Sequence, residues 1–431
     1  MKLILENIGM LKKAEITLNQ LVVIAGENDN GKSTVGKVIF CLVKAINRYK
    51  EDLQESQEHK IKEKAQEFYF VLRRAMIDFD DKIDSLYDEL RHSINTNKTY
   101  ENQAIYKNII EVLKLNKEID QGTLAQLEQI SSDIDRIANE PEDLKTSIEN
   151  ALKKVFASEF DSDLLYIGTQ NGSIKLFEND TKLLDINIDK NNKITLKSEV
   201  EPIELKDATF IESPLILNNH DLLVRSQSAL ALKKQTTRSI GIPFTTLHTK
   251  DLFDKLQEPS LSALFNNDLD KNHALEIDKI INGEILYDPK ARDFVFKRDK
   301  NQISIKNTAS GSKVFGILQL LFRNDFINKN TIIIFDEPEN HLHPNWQLKL
   351  AKILVDFSKE GVYIMVSSHS PYMIEALQRF SDTAEIKSKT CFYLAENNSI
   401  EDRNRLADIF RVLSEPFEIF RQMDKVELGF E

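Results

Sequence analysis

The 431 residues are 41% hydrophobic and 29% charged, which fits a soluble globular protein of more than one structural unit. The two cysteines, Cys41 and Cys391, form no CxxC pair, so a disulfide framework or zinc knuckle is unsupported. A reducing cytoplasm is the expected location, since Glu6 interrupts any signal-peptide core and no apolar run reaches the ~18 residues of a membrane span. The formal net charge of −12 argues against a dedicated nucleic-acid binder, because the field of the whole protein repels phosphate backbones.

In chain order, KLILENI (2–8), AEITLN (14–19) and LVVIAG (21–26) read as three strands, and STVGKVIFCLVKAI (33–46) as a helix. Between the third strand and the helix, Gly26-Glu27-Asn28-Asp29-Asn30-Gly31-Lys32-Ser33 matches G-x-x-x-x-G-K-[ST] in the strand-turn-helix context that this motif requires. Glycines let the backbone amides turn inward around an anion, and the helix N-terminus adds a favourable dipole. Lys32 reaches the terminal phosphates of ATP, and the Ser33 hydroxyl ligates magnesium. Gly26, Asn28, Asn30, Gly31, Lys32, Ser33 and Thr34 are therefore the candidate nucleotide contacts.

Residues 45–156 carry a helical pattern, with Gly122 the only glycine between Glu51 and Phe160. Leu72, Met76, Phe79, Ile83, Leu86 and Leu90 recur in steps of four and three, and Leu127, Ile130, Ile134 and Ile137 repeat the trend. A helical hairpin or small bundle follows from that spacing. Residues 51–160 hold 15 Lys+Arg against 24 Asp+Glu, so this lobe is a poor DNA-gripping arm and its seam is expected to serve packing or dimerisation. Short alternating strands follow over 164–210, with turn signals at Asn171-Gly172 and 189–193. Residues 215–282 read as mainly helical and 283–305 as a strand pair.

Thr331-Ile332-Ile333-Ile334-Phe335-Asp336-Glu337 is a buried-type strand that delivers two acids at its carboxyl edge, where ligands sit in doubly wound folds. Asp336 is the partner of Ser33 in holding magnesium, and Glu337 orients or deprotonates the attacking water. Since 304 residues separate Lys32 from Asp336, a large insertion divides the nucleotide site. A further buried strand, 362–368, ends at His369, placed to hydrogen-bond the γ-phosphate and sense its loss.

The phrases DEPENHLHP (336–344), SSHSPYMI (367–374) and ENIG (6–9), together with the split phosphate loop, resemble the ABC-type ATPases of the OLD, RecF and SMC group. The resemblance covers 1–46 and 306–395. It implies an α/β P-loop NTPase of ABC type, a split head carrying a helical, short coiled-coil insert and a β-rich arm. The expected division is 1–46 and 306–395 as the head, 47–160 as helical insert, 161–214 as β-rich arm, 215–305 as a mixed insert and 396–431 as a helical tail. Thr308-Ala309-Ser310-Gly311-Ser312-Lys313 stands where the group has its signature, which implies that Ser310 and Gly311 touch the γ-phosphate held by a partner head. His343 stands in the loop that crosses the same interface, and its family context, rather than a metal, explains its pairing with His341. The group also carries a glutamine loop, whose position is not legible in this sequence; Phe210-Ile211-Glu212-Ser213-Pro214, the stretch where it would be sought, lacks glutamine.

OLD nucleases carry a Toprim domain after the histidine strand, but only 62 residues follow His369 here and no acidic metal cluster is visible. Stand-alone ATPases of this build resemble the ATPase subunits of Septu, retron-associated and PARIS anti-phage systems. That resemblance implies a homodimer or higher homo-oligomer joined by ATP, which regulates a separate effector protein, a nuclease. Any nucleic acid is reached through that partner, and no membrane is involved. The alternative is a RecF-like repair ATPase that clamps DNA directly, and a third reading is a scaffold that binds ATP without turnover.

Overall fold

Five apolar residues in succession leave the third strand no polar face, so it is stable only where both faces are covered. In the computed structural model this strand, β3 (Leu21–Gly26), is buried throughout and pairs in parallel with β14 (Tyr363–Ser368) on one side and β15 (Thr390–Glu396) on the other. Beyond β14 lie β13 (Thr331–Asp336) and β7 (Asp207–Ile211), also parallel. The structure describes residues 1–75, 85, 88–90, 92, 104–115, 120–139, 144–161, 163–219, 223, 227–228, 244–260, 272–402 and 404–427.

The opposite half of the sheet is antiparallel. Leu3 and Leu5 of β1 (Lys2–Ile8) are buried while Lys2, Ile4 and Glu6 are not, the two-residue period of a half-covered strand, and Ile8 is buried at its end. β1 pairs with β2 (Leu11–Thr17) and β4 (Asn171–Glu178), which continues to β5 (Thr181–Asp189) and β6 (Ile194–Leu196). The short strand β16 (Ser399–Glu401) joins the halves, giving one sheet in the order β6-β5-β4-β1-β2-β16-β15-β3-β14-β13-β7. The α/β head expected from the sequence is thus assembled from both ends of the chain. Two smaller sheets accompany it. One is β8 (Gln227–Ser228) with β9 (Phe244–Thr245); the other is β10 (Glu284–Asp288), β11 (Asp293–Arg298) and β12 (Asn301–Ser304), three strands where the sequence suggested two.

Helices close on the parallel half. The first, α1 (Lys32–Ala75), approaches so closely at Gly36 that a Cβ there would lie 2.8 Å from Ile334 and 2.9 Å from Phe210. Four partly or wholly buried charges fix β7 to its neighbours: Lys44 lies 2.5 Å from Asp207 and 2.6 Å from Asp251, and Lys255 lies 2.6 Å and 2.9 Å from the same acids. Each cation thereby meets two acids, which offsets the cost of removing the group from water.

Residues Arg48–Ile148 form a separate compact unit. Its described helices include α2 (Ala104–Leu115) and α3 (Gln121–Ala138), the latter capped by the Asp120 carboxylate on Thr123 N at 3.1 Å. Leu72, Leu90, Leu127, Ile130 and Ile134 of the predicted seams are buried in this unit's own core with Phe68, Tyr106 and Ile109, so these seam positions pack internally. Met76, Phe79, Ile83 and Leu86 lie outside the described residues. The helix α4 (Leu144–Phe160), which belongs to the other unit from Glu149 onward, leads into β4; in that unit α5 (Leu247–Gln257) packs against β7, and α6 (Asn272–Ile281) precedes β10. Among the described residues no helix is long and apolar enough to cross a membrane.

Candidate functional site

The turn Gly26–Ser33 can exist only with glycine at its two ends. Gly26 has φ +148°, and a Cβ would lie 2.4 Å from the carbonyl oxygen of Ala395; Gly31 has φ +82°, and a Cβ would lie 2.6 Å from Leu11 Cδ2. The loop is braced from the far end of the chain, where Asn398 Nδ2 donates to Asp29 O (3.0 Å) and Asn398 N to the Asn30 side chain (3.3 Å). Asn30 Nδ2 in turn donates to Asn28 O (3.4 Å), and Thr34 N to Gly31 O (3.1 Å). Lys32 is buried, its ammonium donating to Gly26 O (2.9 Å) and Glu27 O (2.8 Å) and lying 3.6 Å from Glu337. A cation is thus held inside a loop of inward-turned backbone, an arrangement built for an anion.

Strand β13 brings its acids to this loop. Ser33 Oγ donates to Asp336 Oδ1 at 2.9 Å, and Ser367 Oγ, from the end of β14, donates to the same oxygen. Burial pushes the Asp336 carboxyl above its ordinary range, the Ser367 and Ser33 hydrogen bonds oppose this, and the charges of Glu337 and Glu212 add to it. A partly buried carboxylate beside a serine hydroxyl is the all-oxygen donor set of a hard divalent ion, and it fits magnesium.

Glu337 occupies the left-handed region (φ 49°, ψ 53°), a costly conformation for this residue, with its N–H donating to Ser367 O at 3.0 Å. Burial raises its carboxyl, but the Asn340 amide (3.1 Å) and the nearby Lys32 and His369 outweigh this and hold it below the usual range. It stays ionised, as an acceptor of a water proton must be. His369 follows β14, with Nδ1 3.5 Å from Glu337 Oε1 and its side chain 41% exposed.

Ser310 and Gly311 begin α7 (Ser310–Arg323), where Gly311 lies beside Trp346 and the backbone of His341. Among the described residues, none of the hydrogen bonds of Gly26–Ser33 runs to them. His343 caps α8 (Pro344–Lys359), its Nδ1 accepting from Asn345 N at 3.3 Å.

Glu212 directly follows β7, whose Ile211 is in register with Phe335, so it stands at the same edge as Asp336. It accepts from His248 Nε2 at 3.2 Å, while His248 Nδ1 lies 2.6 Å from the buried Glu159. Burial disfavours the imidazolium, but the hydrogen bonds to Glu159 and Glu212 prevail and raise His248 to about 9. No local signal marks Glu159, His248 or Asn398, because each acquires its place only through distant packing. Ser367 was legible as part of SSHS but carried no distinguishing spacing.

A protein-family model described as AAA ATPase domain matches residues 1–374. No curated protein matches the chain. Solved structures that it resembles include an SMC head bound to the C-winged helix domain of ScpA (11% identity, 95% of this chain and 98% of that one, TM-score 0.40). Others are the SMC head domain from Thermotoga maritima (11%, 93% and 96%, 0.36) and an ATP-binding cassette of an ABC transporter in its ADP conformation (13%, 97% and 98%, 0.33). Likeness at such scores is remote, and membership rests on the family match over most of the chain.

Proposed function

The chain belongs to the AAA ATPase domain family and is an ATPase, and we propose that it hydrolyses ATP at a site shared between two head-to-head copies and thereby controls a separate effector, a nuclease, in cytoplasmic anti-phage defence. The observation that carries the catalytic reading is the convergence of Lys32 and Ser33 on Glu337 and Asp336, from opposite ends of the sequence, at one sheet edge. Lys32 and the backbone of Gly26–Ser33 bind the phosphates. Ser33 and Asp336 would hold magnesium, whose charge offsets that of the phosphates. Glu337 takes the proton of the attacking water, and His369, half exposed beside it, contacts the γ-phosphate. Ser310 and Gly311, exposed or partly so at a helix N-terminus and free of their own chain's phosphate loop, support a role on the partner's nucleotide.

The effector and the defence role rest on the sequence resemblance. The test is phosphate release and sedimentation of Glu337→Gln protein with ATP, followed by co-purification with the neighbouring gene product. Slow hydrolysis with an ATP-stabilised dimer that captures a nuclease is expected. Metal-dependent cleavage of plasmid or tRNA by the isolated chain would overturn the division of labour, and tight salt-sensitive DNA binding by the chain alone would favour a DNA clamp instead.

A further inference from the structure

Glu339, two residues beyond Glu337, has no part in the catalytic scheme above, yet its residue is only 6% exposed. Its Oε1 accepts three donors from the turn after β14: Ser368 Oγ (2.6 Å), His369 N (2.7 Å) and Ser370 N (3.1 Å). Its Oε2 has no hydrogen-bond partner among the described residues. Burying a carboxylate is expensive, and an apolar or amide residue would ordinarily serve structure better. Helix capping does not explain it. The helix α9 (Pro371–Thr383) is already capped by Ser370 Oγ, which accepts from Met373 N at 3.3 Å, with Pro371 at its first position.

The ring of His369 stands between two acids. Its Nδ1 is buried, lies 3.5 Å from Oε1 of Glu337 and 3.5 Å from Oε1 of Glu339, and has no hydrogen-bond partner among the described residues. Both facing oxygens belong to carboxylates, which only accept, so a proton on Nδ1 is favoured and Nε2 becomes the opposite, outward edge. The two acids differ in freedom. Glu337 is one-quarter exposed in its side chain and held by one amide with the Lys32 ammonium 3.6 Å away, whereas Glu339 is 4% exposed and tied by three donors.

We propose that Glu339 is a positioning residue for His369: its anchored carboxylate fixes the backbone of Ser368–Ser370 and the Nδ1–H tautomer of the ring, leaving Glu337 free to meet water. It acts through His369 and does not touch substrate. This rests on the reading of His369 as a γ-phosphate contact.

The experiment uses the full chain labelled with ¹⁵N-histidine, with His369 assigned by its loss in His369→Gln and spectra recorded where the ring is neutral. Unmodified protein should show the Nδ1–H tautomer. Glu339→Gln, which keeps shape and one acceptor, should move the proton to Nε2 and lower kcat about 10²-fold, with ATP affinity within about threefold of the original. Glu337→Gln should lower kcat by removing the acceptor of the water proton, and should disturb the tautomer less than Glu339→Gln does, since the Glu339 carboxylate is the one anchored by three donors. An Nε2–H tautomer in the unmodified chain, an outcome that does not depend on Glu339→Gln folding, overturns the proposal. So does a Glu339→Gln protein that keeps both kcat and tautomer while His369→Gln is inactive. Full activity of His369→Gln instead overturns the reading of His369 on which the proposal stands.

Discussion

The hydroxyl of Ser33 donates to a carboxylate oxygen of Asp336 at 2.9 Å, across 303 positions of sequence. Because burial raises the Asp336 carboxyl, its ionised form is disfavoured by folding until a cation arrives. Asp336→Asn should therefore leave the magnesium-free protein as stable as before or more so. Magnesium with ATP should raise the Tm of the original chain and not that of the variant. Calorimetric scans with and without the pair decide it, and a large loss of stability in the metal-free variant would contradict this account.

Glu337→Gln should retain ATP and slow phosphate release by about 10²–10⁴, since it keeps shape but cannot accept the water proton. Lys32→Ala should instead weaken ATP binding about tenfold or more, because it removes a buried ammonium and also the two loop carbonyls' donor at Gly26 and Glu27. Titration with a fluorescent ATP analogue separates the two variants; normal affinity in Lys32→Ala would remove the phosphate-loop assignment.

Ser310→Arg should bind nucleotide as a monomer but fail to pair, since its cation would face the partner's phosphate loop. Mixed with Lys32→Ala protein, it should recover part of the ATPase rate: one composite site in such a heterodimer carries both lesions and the other carries neither. Heterodimers demonstrated by differential tagging that remain inactive would argue against a shared site.

Gly36→Ala poses a choice of sign. Alanine in a helix is favoured over glycine by about 1 kcal/mol, but here its Cβ would meet Ile334 and Phe210 at 2.8 Å and 2.9 Å. Overpacking of a filled contact costs about 1–3 kcal/mol, so net destabilisation is expected in denaturant unfolding.

His248 should make stability fall at alkaline pH. Its folded value of about 9 lies above the ordinary 6.5, so its contribution is complete below pH about 6.5 and is lost as pH rises through about 9. The size is on the order of 1–3 kcal/mol. The difference in unfolding free energy between the original chain and His248→Gln should shrink across that window, and a constant difference would contradict the Glu159–His248–Glu212 arrangement.

What could be read from sequence was what is locally coded. Strands β1, β2 and β3, the glycine-bounded loop and the Asp336-Glu337 edge each carry their own pattern of apolar residues and turn chemistry, and the structure brings Lys32, Ser33, Asp336, Glu337 and His369 to one edge. The third strand of the β10–β12 sheet was not legible, because NQIS has no apolar alternation and is exposed along its length. Strand β16, only three residues long, is defined by its neighbours rather than by itself. Glu212 could be seen as a departure from glutamine, but nothing near it foretold His248 as its partner, which folds in from 36 residues away.

The position of β3 also governs how the protein is made. Its two sheet neighbours, β14 and β15, are translated more than 330 residues after it. At about 5–20 residues per second, an unpaired, wholly apolar strand would wait on the order of 20–70 s on the ribosome before it could be enclosed. A nascent chain in that interval presents a sticky edge, so a holding chaperone should be retained on ribosome-bound chains until Glu396 has emerged.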